Sequence, residues 1–397
     1  MVGRILIAGG GVGGLTLALA CRRHGLQPLV LERADGFAEV GAGLQLSPNA
    51  MNVFKGLEFD RELKSAAFAP RALEARVGRS GRRVFRVPLA DATSIVSGSS
   101  PWSAPYLHIH RADLIARLRA CCAGLTRLGA EVVEVSRVCD DVCVRLADGR
   151  EVRGDVLVGA DGLRSTVRAA LFGKVPARYT GYAAWRAVVP TKTLGELAPP
   201  PTACVWMGPG AHAVTYRLRG GELCNFVGVV ARPRPPEESW QAVGARTAAQ
   251  RDFAGWHPVI GAMIAEAPAL HLWALYDRPA LPRWSRGRAT LLGDAAHPML
   301  PFFAQGAAMA VEDAWVLADA LSRHAVADAL ELYAARRQVR TARVQAASRA
   351  NAELYHRRTP LTQIATYAPM WLAGRLAPGL VRARLNWLYG EDVTHSV

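Results

Sequence analysis

The side chains best placed for chemistry are acids that stand at the ends of apolar runs beside clusters of small residues. Asp294 follows Ala289–Leu292 in the stretch ATLLGDAAHPMLPFFAQGAAMAVEDA, and Gln305-Gly306-Ala307-Ala308 then opens a helix. A carboxylate at a strand end accepts hydrogen bonds from sugar-like hydroxyls, and the free N–H groups and dipole of a helix start favour negative charge. Near the beginning of the chain, Gly9, Gly11 and Gly14 satisfy G-x-G-x-x-G, with Gly13 inside the pattern. The pair Glu32-Arg33 follows about twenty residues on, as a ribose-binding acid does in that motif. Gly9 suits the tight turn, Gly11 the approach of a pyrophosphate, Gly14 the packing of helix on strand, and Glu32 the ribose hydroxyls. The pattern fits the ADP half of a dinucleotide and does not separate FAD from NAD, which share that half.

A third acid, Asp161, ends the run Asp155–Gly159 and is followed by Arg164 and Arg168. This set suits a pyrophosphate or nicotinamide cofactor; the plainer alternative makes Asp161 a helix cap with two solvated arginines. Gly43, Leu44 and Gln45, within GAGLQLSPNA, form a bare turn that can lie against a flat ligand, ahead of a helix capped near Ser47 or Asn49. His212 and Tyr216 share one face of the strand Ala211–Leu218, because strand side chains alternate with a period of two. On composition alone this pair reads as a satisfied core pair. The seven cysteines show no CxxC pair and no His/Cys ligand spacing, so neither a disulfide framework nor a metal site is expected.

These residues need elements to hold them. Arg4–Ala8 reads as a buried strand, Leu15–His24 as a helix ended by Gly25, and Pro28–Glu32 as a second buried strand, which completes a βαβ unit. Arg71–Pro88 predicts a hairpin turning at Gly78–Gly81, Asp91–Pro105 a mobile loop, and His108 onward a helix to about Cys122 that carries Arg111. Two more strands fall within Ala130–Leu146, before a turn at Asp148-Gly149. From Tyr179 to Arg288 the βαβ rhythm lapses into short strands and proline clusters. A helix from Ala329 to Leu354 turns Arg336, Arg337, Arg340 and Arg343 to solvent, and Pro360–Tyr389 forms short helices over the domain junction or another subunit.

The expectation is therefore an α/β protein. A Rossmann-like nucleotide-binding domain comprises residues 1–70, 106–178 and 289–355; a mainly antiparallel β-sheet substrate domain, 71–105 and 179–288, is inserted in it; residues 356–397 form a C-terminal helical tail.

At 397 residues, 51% hydrophobic and 20% charged, the composition is that of a globular protein with a sizeable core. The net charge of +15 is scattered and no nucleic-acid motif accompanies it, so it serves to attract anionic cofactors and an acidic or phenolic substrate. The apolar start is too short for a signal peptide and no uncharged run reaches the length of a membrane span, so a cytoplasmic location is expected.

In order, GGGVGG with Glu32, DGLRSTVR at Asp161–Arg168 and GDAAHPMLP at Gly293–Pro301 resemble the single-component, FAD-dependent aromatic hydroxylases of the group A flavoprotein monooxygenases. The likeness covers nearly the whole chain, including GYAAWR at Gly181–Arg186 and WLYG at Trp387–Gly390, and leans toward the salicylate, 3-hydroxybenzoate and 6-hydroxynicotinate hydroxylases. The resemblance implies FAD as cofactor, NAD(P)H as transient electron donor with no domain of its own, O₂, a small aromatic substrate and a C4a-hydroperoxyflavin that hydroxylates the ring. It assigns the ADP half to the first motif and FAD with nicotinamide to Asp161 and Arg164. It also assigns the ribityl chain to Gly293-Asp294, the flavin edge to Pro301, its pyrimidine end to Gly306-Ala307, and a cofactor role to Arg111 in HRADL. His212 and Tyr216 match a GP-x-x-H-x-x-x-Y pattern in which the imidazole activates the phenol and the tyrosine orients it.

The loop Met299–Phe303 lacks the polar helper some members carry there. Arg186, Arg217 and Arg219 are candidate carboxylate partners, although strand parity turns Arg217 away from His212, and His297 reads as structural. Two alternatives stay open: a hydroxylase of a larger polycyclic or quinone-type natural product, and an FAD-dependent reductase or dehydrogenase without oxygen insertion. Neither the choice of NADH or NADPH nor that of monomer or homodimer is decided.

Overall fold

The computed structural model describes residues 3–36, 42–89, 102–137, 139–236 and 244–395. A six-stranded sheet runs in the order Ser285–Arg286, Ala289–Leu291, Val156–Gly159, Arg4–Ala8, Gln27–Leu31, Thr126–Arg127, parallel except at its Ser285–Arg286 edge. Its central strands are unbroken apolar runs because both faces are buried, which leaves no side for polar alternation. Gly9, Ala160-Asp161 and Gly293-Asp294 leave the carboxyl ends of three adjacent strands, so three distant motifs meet along one edge. Helices Val12–Arg23 and Gly306–Arg323 lie together under it: a Cβ on Gly13 would stand 2.6 Å from Leu292 and 3.1 Å from Ala310.

Strands Val132–Arg137, Val142–Leu146 and Glu151–Gly154 form a meander, with Gly149 at φ 85° in the expected turn. The expected bare turn is instead the strand Gly43–Leu46, paired antiparallel with Leu107–His110, and the following helix begins at Arg111 rather than His108. Two hydrogen-bonded rungs outweigh helix propensity at such a junction. The helix Pro48–Gly56 has no side-chain cap: the Ser47 hydroxyl donates to Asn49 Oδ1, and its oxygen accepts from Gln305 Nε2 at 3.0 Å. Most of the loop Asp91–Pro105 lies outside the described residues.

A seven-stranded sheet follows the order His271–Asp277, Arg178–Pro190, Leu223–Ala231, Ala211–Leu218, Ala203–Gly208, Ala72–Val77, Arg83–Pro88. It is antiparallel apart from the Ala203–Gly208/Ala72–Val77 pair. One face, with Trp185, Trp206, Ala213 and Phe226, packs on helices Arg246–Asp252 and Pro258–Ala265. The opposite face carries His212, Val214 and Tyr216, with Val227, Val229, Ala184 and Arg186 beside them in register.

The 30-residue helix Val326–Tyr355 lies against the six-stranded sheet and reaches this second face. Arg336 and Arg343 are exposed as expected, but Arg337 is 1% exposed and Arg340 mostly covered, because the helix before them presents buried carboxylates. Arg337 binds Glu312 at 2.6 Å and Asp313 at 2.7 Å, and Arg340 binds Glu312 at 2.7 Å. The tail forms helices Pro360–Leu376, Pro378–Ala383 and Asn386–Tyr389, with Tyr367 buried against Ala75 and Met207.

Candidate active site

The turn after Arg4–Ala8 is shaped by contacts that exclude side chains on one side and leave room on the other. Gly9 has φ 107°, and a Cβ there would stand 2.5 Å from the Ala160 carbonyl. A Cβ on Gly11 would meet nothing within 4 Å, whereas one on Gly14 would lie 2.0 Å from the Gly9 carbonyl. Gly11 thus borders open space at the start of helix Val12–Arg23, which has no side-chain cap and no acid in its first turn. Uncapped N–H groups beside that space fit a pyrophosphate. Glu32 is held at the rim, its carboxylate accepting from Gly10 N–H at 2.6 Å and Ala34 N–H at 3.0 Å, with exposed Arg33 next to it. Gly13 faces the helix–helix seam, so its smallness serves packing rather than the cofactor space.

Asp161 Oδ2 accepts from Val167 N–H at 3.2 Å, while its Oδ1 is buried without a partner among the described residues. Burial raises this carboxyl's pKa, and hydrogen bonds from Ser165 and Val167 only partly offset it. An oxygen so placed is ready for a donor from a bound molecule. Arg164 is exposed beside it. Arg168 is not solvated: its guanidinium donates to the Ala295 and Ala296 carbonyls at 3.0 and 3.2 Å and ties this segment to the GDAAHP turn. Desolvation brings its pKa down to about 10.

Asp294 is exposed by area yet lies so deep that desolvation raises its pKa, a combination produced by a cleft. His297 partly offsets that shift, and so does Arg111, which shares the cleft and is likewise exposed. Neither side chain makes a hydrogen bond or ion pair among the described residues. A Cβ on Gly306 would lie 3.8 Å from Asp294 Oδ1, so the carboxylate stands beside the uncapped start of helix Gly306–Arg323. Partly exposed Gly306 and Ala307 form that start.

The loop between them is fixed from behind. Gln345 Nε2 donates to the Pro298 carbonyl at 2.7 Å, Ser348 Oγ to Leu300 at 2.7 Å and Asn351 Nδ2 to Phe302 at 3.3 Å. These three residues lie along one face of helix Val326–Tyr355, at a spacing that follows its turns. They leave Pro301 partly exposed at the rim. His297 Nε2 meets Asp313 Oδ2 at 2.6 Å and stacks on Trp284, in agreement with a structural role.

Across the cleft, Tyr216 is buried against Gly43, where a Cβ would touch its ring at 2.5 Å, and its ring centroid lies 4.7 Å from that of His108. Burial raises the Tyr216 pKa; nearby Arg186 counteracts it. Gly43 N–H donates to Asn225 Oδ1 at 2.7 Å, while Leu44 and Gln45 stay partly exposed, with Gln45 Oε1 accepting from Tyr106. His212 is buried beside Phe302 and Tyr355, and its Nδ1 lies 2.7 Å from His356 Nε2.

Arg186 lies 4.5 Å over the Trp273 ring and makes no hydrogen bond or ion pair among the described residues. Desolvation lowers its pKa to about 10. Arg219 is occupied by a bidentate pair with Asp113 at 2.9 and 2.8 Å, and Arg217 donates to the Pro199 carbonyl on the far side, as strand parity predicts. Sequence reasoning missed the Glu312–Asp313–Arg337–Arg340 network and His356. The adjacent acids in AVEDA were a visible signal for the first, but nothing marks a partner 144 residues from His212.

A glycine turn bordering open space, an acid at the end of the second strand, a cleft carboxylate at a helix start and an aromatic-lined sheet face together fit a flavin-dependent oxidoreductase. The FAD binding domain family model matches residues 3–348, and the chain belongs to this family, among the class A FAD-dependent aromatic monooxygenases. It is 37% identical to 3-amino-4-hydroxybenzoate 2-monooxygenase PtnB3 of Streptomyces platensis, over 89% of this chain and 88% of that one. It is 36% identical to 3-hydroxybenzoate 6-hydroxylase 1 of Aquipseudomonas alcaligenes, over 99% and 98% of the two chains. A salicylate hydroxylase substrate complex superposes with TM-score 0.81 at 27% identity, covering 98% of this chain and 96% of that one.

Proposed function

We propose that the chain hydroxylates a phenolic aromatic acid, or a hydroxylated N-heteroaromatic acid, using FAD, NAD(P)H and O₂. One observation carries the choice of an acid: Arg186 is a sheltered guanidinium without a counter-charge among the described residues, on the same sheet face as His212 and Tyr216. A desolvated cation of this kind favours a bidentate carboxylate. The relatives' names support it, since each describes a hydroxylated benzoate hydroxylase.

Bound FAD supplies electron transfer from NAD(P)H and activation of O₂. Gly9, Gly11 and Gly14 would hold its pyrophosphate, Glu32 its adenosine ribose and Asp294 its ribityl chain, with Asp161, Arg164 and Arg111 also on the cofactor's side of the cleft. Gly43, Leu44, Gln45 and Pro301 would border the flavin, and the helix start at Gly306-Ala307 would supply positive potential to offset its negative charge. Arg186 fixes the substrate carboxylate, Tyr216 orients the ring and His212 takes the phenolic proton. The apolar Met299–Phe303 loop excludes water.

The same reading makes the seven-stranded sheet a substrate domain inserted into a Rossmann-like FAD domain, with the boundaries expected from sequence. No helix of the described residues is long and apolar enough to cross a membrane. We place the protein in the cytoplasm. Leu361, Ile364 and Leu376 are exposed on the tail helices, which favours a homodimer over a monomer.

The test is a screen of hydroxybenzoates, hydroxynicotinates and larger phenols for stimulated NAD(P)H oxidation with product identification. A ring-hydroxylated acid is expected. Oxidation without an oxygenated product would favour the reductase alternative, and turnover of large phenols alone would favour the polycyclic one.

A further inference from the structure

His212 cannot act as an isolated base. Burial holds its pKa well below the ordinary imidazole value and His356 lowers it further, so a proton resting on His212 would be expensive. Its Nδ1, however, is only 2.7 Å from His356 Nε2. His356 caps helix Val326–Tyr355; its carbonyl accepts from Gly210 N–H at 3.4 Å, which fixes it to the turn before the His212 strand. Its Nδ1 is buried without a partner among the described residues. Beside it opens a surface crevice of about 330 Å³, lined by Tyr182, Glu353, Arg357, Arg358 and Thr359 as well as His356. A space of this size is large enough to hold water next to the His356 ring.

We propose that His356 is the second member of a two-imidazole relay that carries the phenolic proton from His212 to this crevice. The inference rests on His212 being the base of the proposed reaction. The substrate O–H breaks as an N–H forms at His212 Nε2; the His212 Nδ1 proton passes to His356 Nε2; the His356 Nδ1 proton leaves to crevice water. No electrons are transferred, and the reverse passage restores both tautomers when the product oxygen takes up a proton. Neither ring accumulates charge, which suits groups that burial keeps neutral, His356 having its pKa lowered to about 4 by desolvation and by Arg358. His356 is thus a positioning and relay residue that acts through His212.

The full-length, FAD-loaded variants His356→Gln and His356→Ala test this. Each is mixed by stopped flow with the phenolic acid that best stimulates NAD(P)H oxidation, in weak buffer containing a pH-indicator dye. Proton release should slow about tenfold or more in both, as loss of proton transfer does, with substrate affinity and FAD content unchanged. Imidazole in solution should restore speed to His356→Ala alone. Glutamine keeps a hydrogen bond to His212 but passes on no proton, so parental release in His356→Gln overturns the relay; that variant decides even if the alanine variant fails to fold. His212→Ala separates the premise: parental release there overturns His212 as base, whereas slow release there with a fast His356→Gln overturns the relay alone.

Discussion

Asp313 Oδ2 lies 2.6 Å from His297 Nε2 and accepts from Gly293 N–H at 3.1 Å, while Arg337 binds the other oxygen of the same carboxylate at 2.7 Å. One buried acid therefore fixes the turn that carries Asp294. With Glu312, Arg337 and Arg340 it forms a network in which two carboxylates face two guanidinium groups. Removing one member leaves the others charged, desolvated and unmatched.

Arg337→Leu should lower stability by about 3–5 kcal/mol, the usual cost of breaking a buried pair. Denaturant unfolding followed by tryptophan fluorescence measures it, and a loss under about 1 kcal/mol would refute the role given to the network. The same groups set the acid limit. Burial pushes the Glu312 and Asp313 pKa values up, but Arg337 with Arg340 at Glu312, and His297 with Arg337 at Asp313, more than offset this and leave both below their ordinary values. Stability from a depressed carboxyl is complete above its unfolded pKa and lost as pH falls through the folded one. The pair's contribution should persist to about pH 4 and fade only below it; Arg337→Leu, which removes the cation holding both carboxyls down, should shrink this acid-side loss.

Gly9 and Gly11 should separate folding from cofactor binding. Gly9→Ala places a Cβ against the Ala160 carbonyl at a φ of 107° and should cost the apoprotein roughly 1–3 kcal/mol. Gly11→Val meets no protein atom within 4 Å of its Cβ, so the apoprotein melting temperature should hold while FAD affinity falls. Fluorescence titration with FAD decides; unchanged affinity in Gly11→Val would remove the pyrophosphate from this turn.

Asp294→Ala should leave apoprotein stability nearly unchanged, because the carboxylate bonds to nothing among the described residues. Its FAD affinity should drop by about 1.5–3 kcal/mol, the worth of hydrogen bonds to a charged group. Equal loss of apoprotein stability would show that Asp294 supports the fold instead.

Arg186→Ala should raise KM about tenfold or more for a phenolic acid and little for the matching phenol without a carboxylate, the pattern of a lost charge-assisted pair. Steady-state kinetics on the matched substrates provide the comparison. An equal rise for both would make Arg186 a packing residue over Trp273.

By itself the sequence determined the local elements and the three motifs. Apolar runs such as Arg4–Ala8 and the turn glycines Gly9 and Gly149 express constraints on sterics and burial that act over a few neighbours. Strand parity likewise placed His212 and Tyr216 on one face and Arg217 on the other. What only the tertiary structure decided was which polar groups found partners. Arg337 and Arg340 read as a solvated helix face until the carboxylates of the preceding helix met them, and Arg168 and Arg219 are spent on structure while Arg186, among the described residues, makes no hydrogen bond or ion pair. The His212–His356 contact spans 144 residues. Such pairings follow from how separate elements dock, and long-range contacts of this kind leave no period or spacing in the chain from which they could be read.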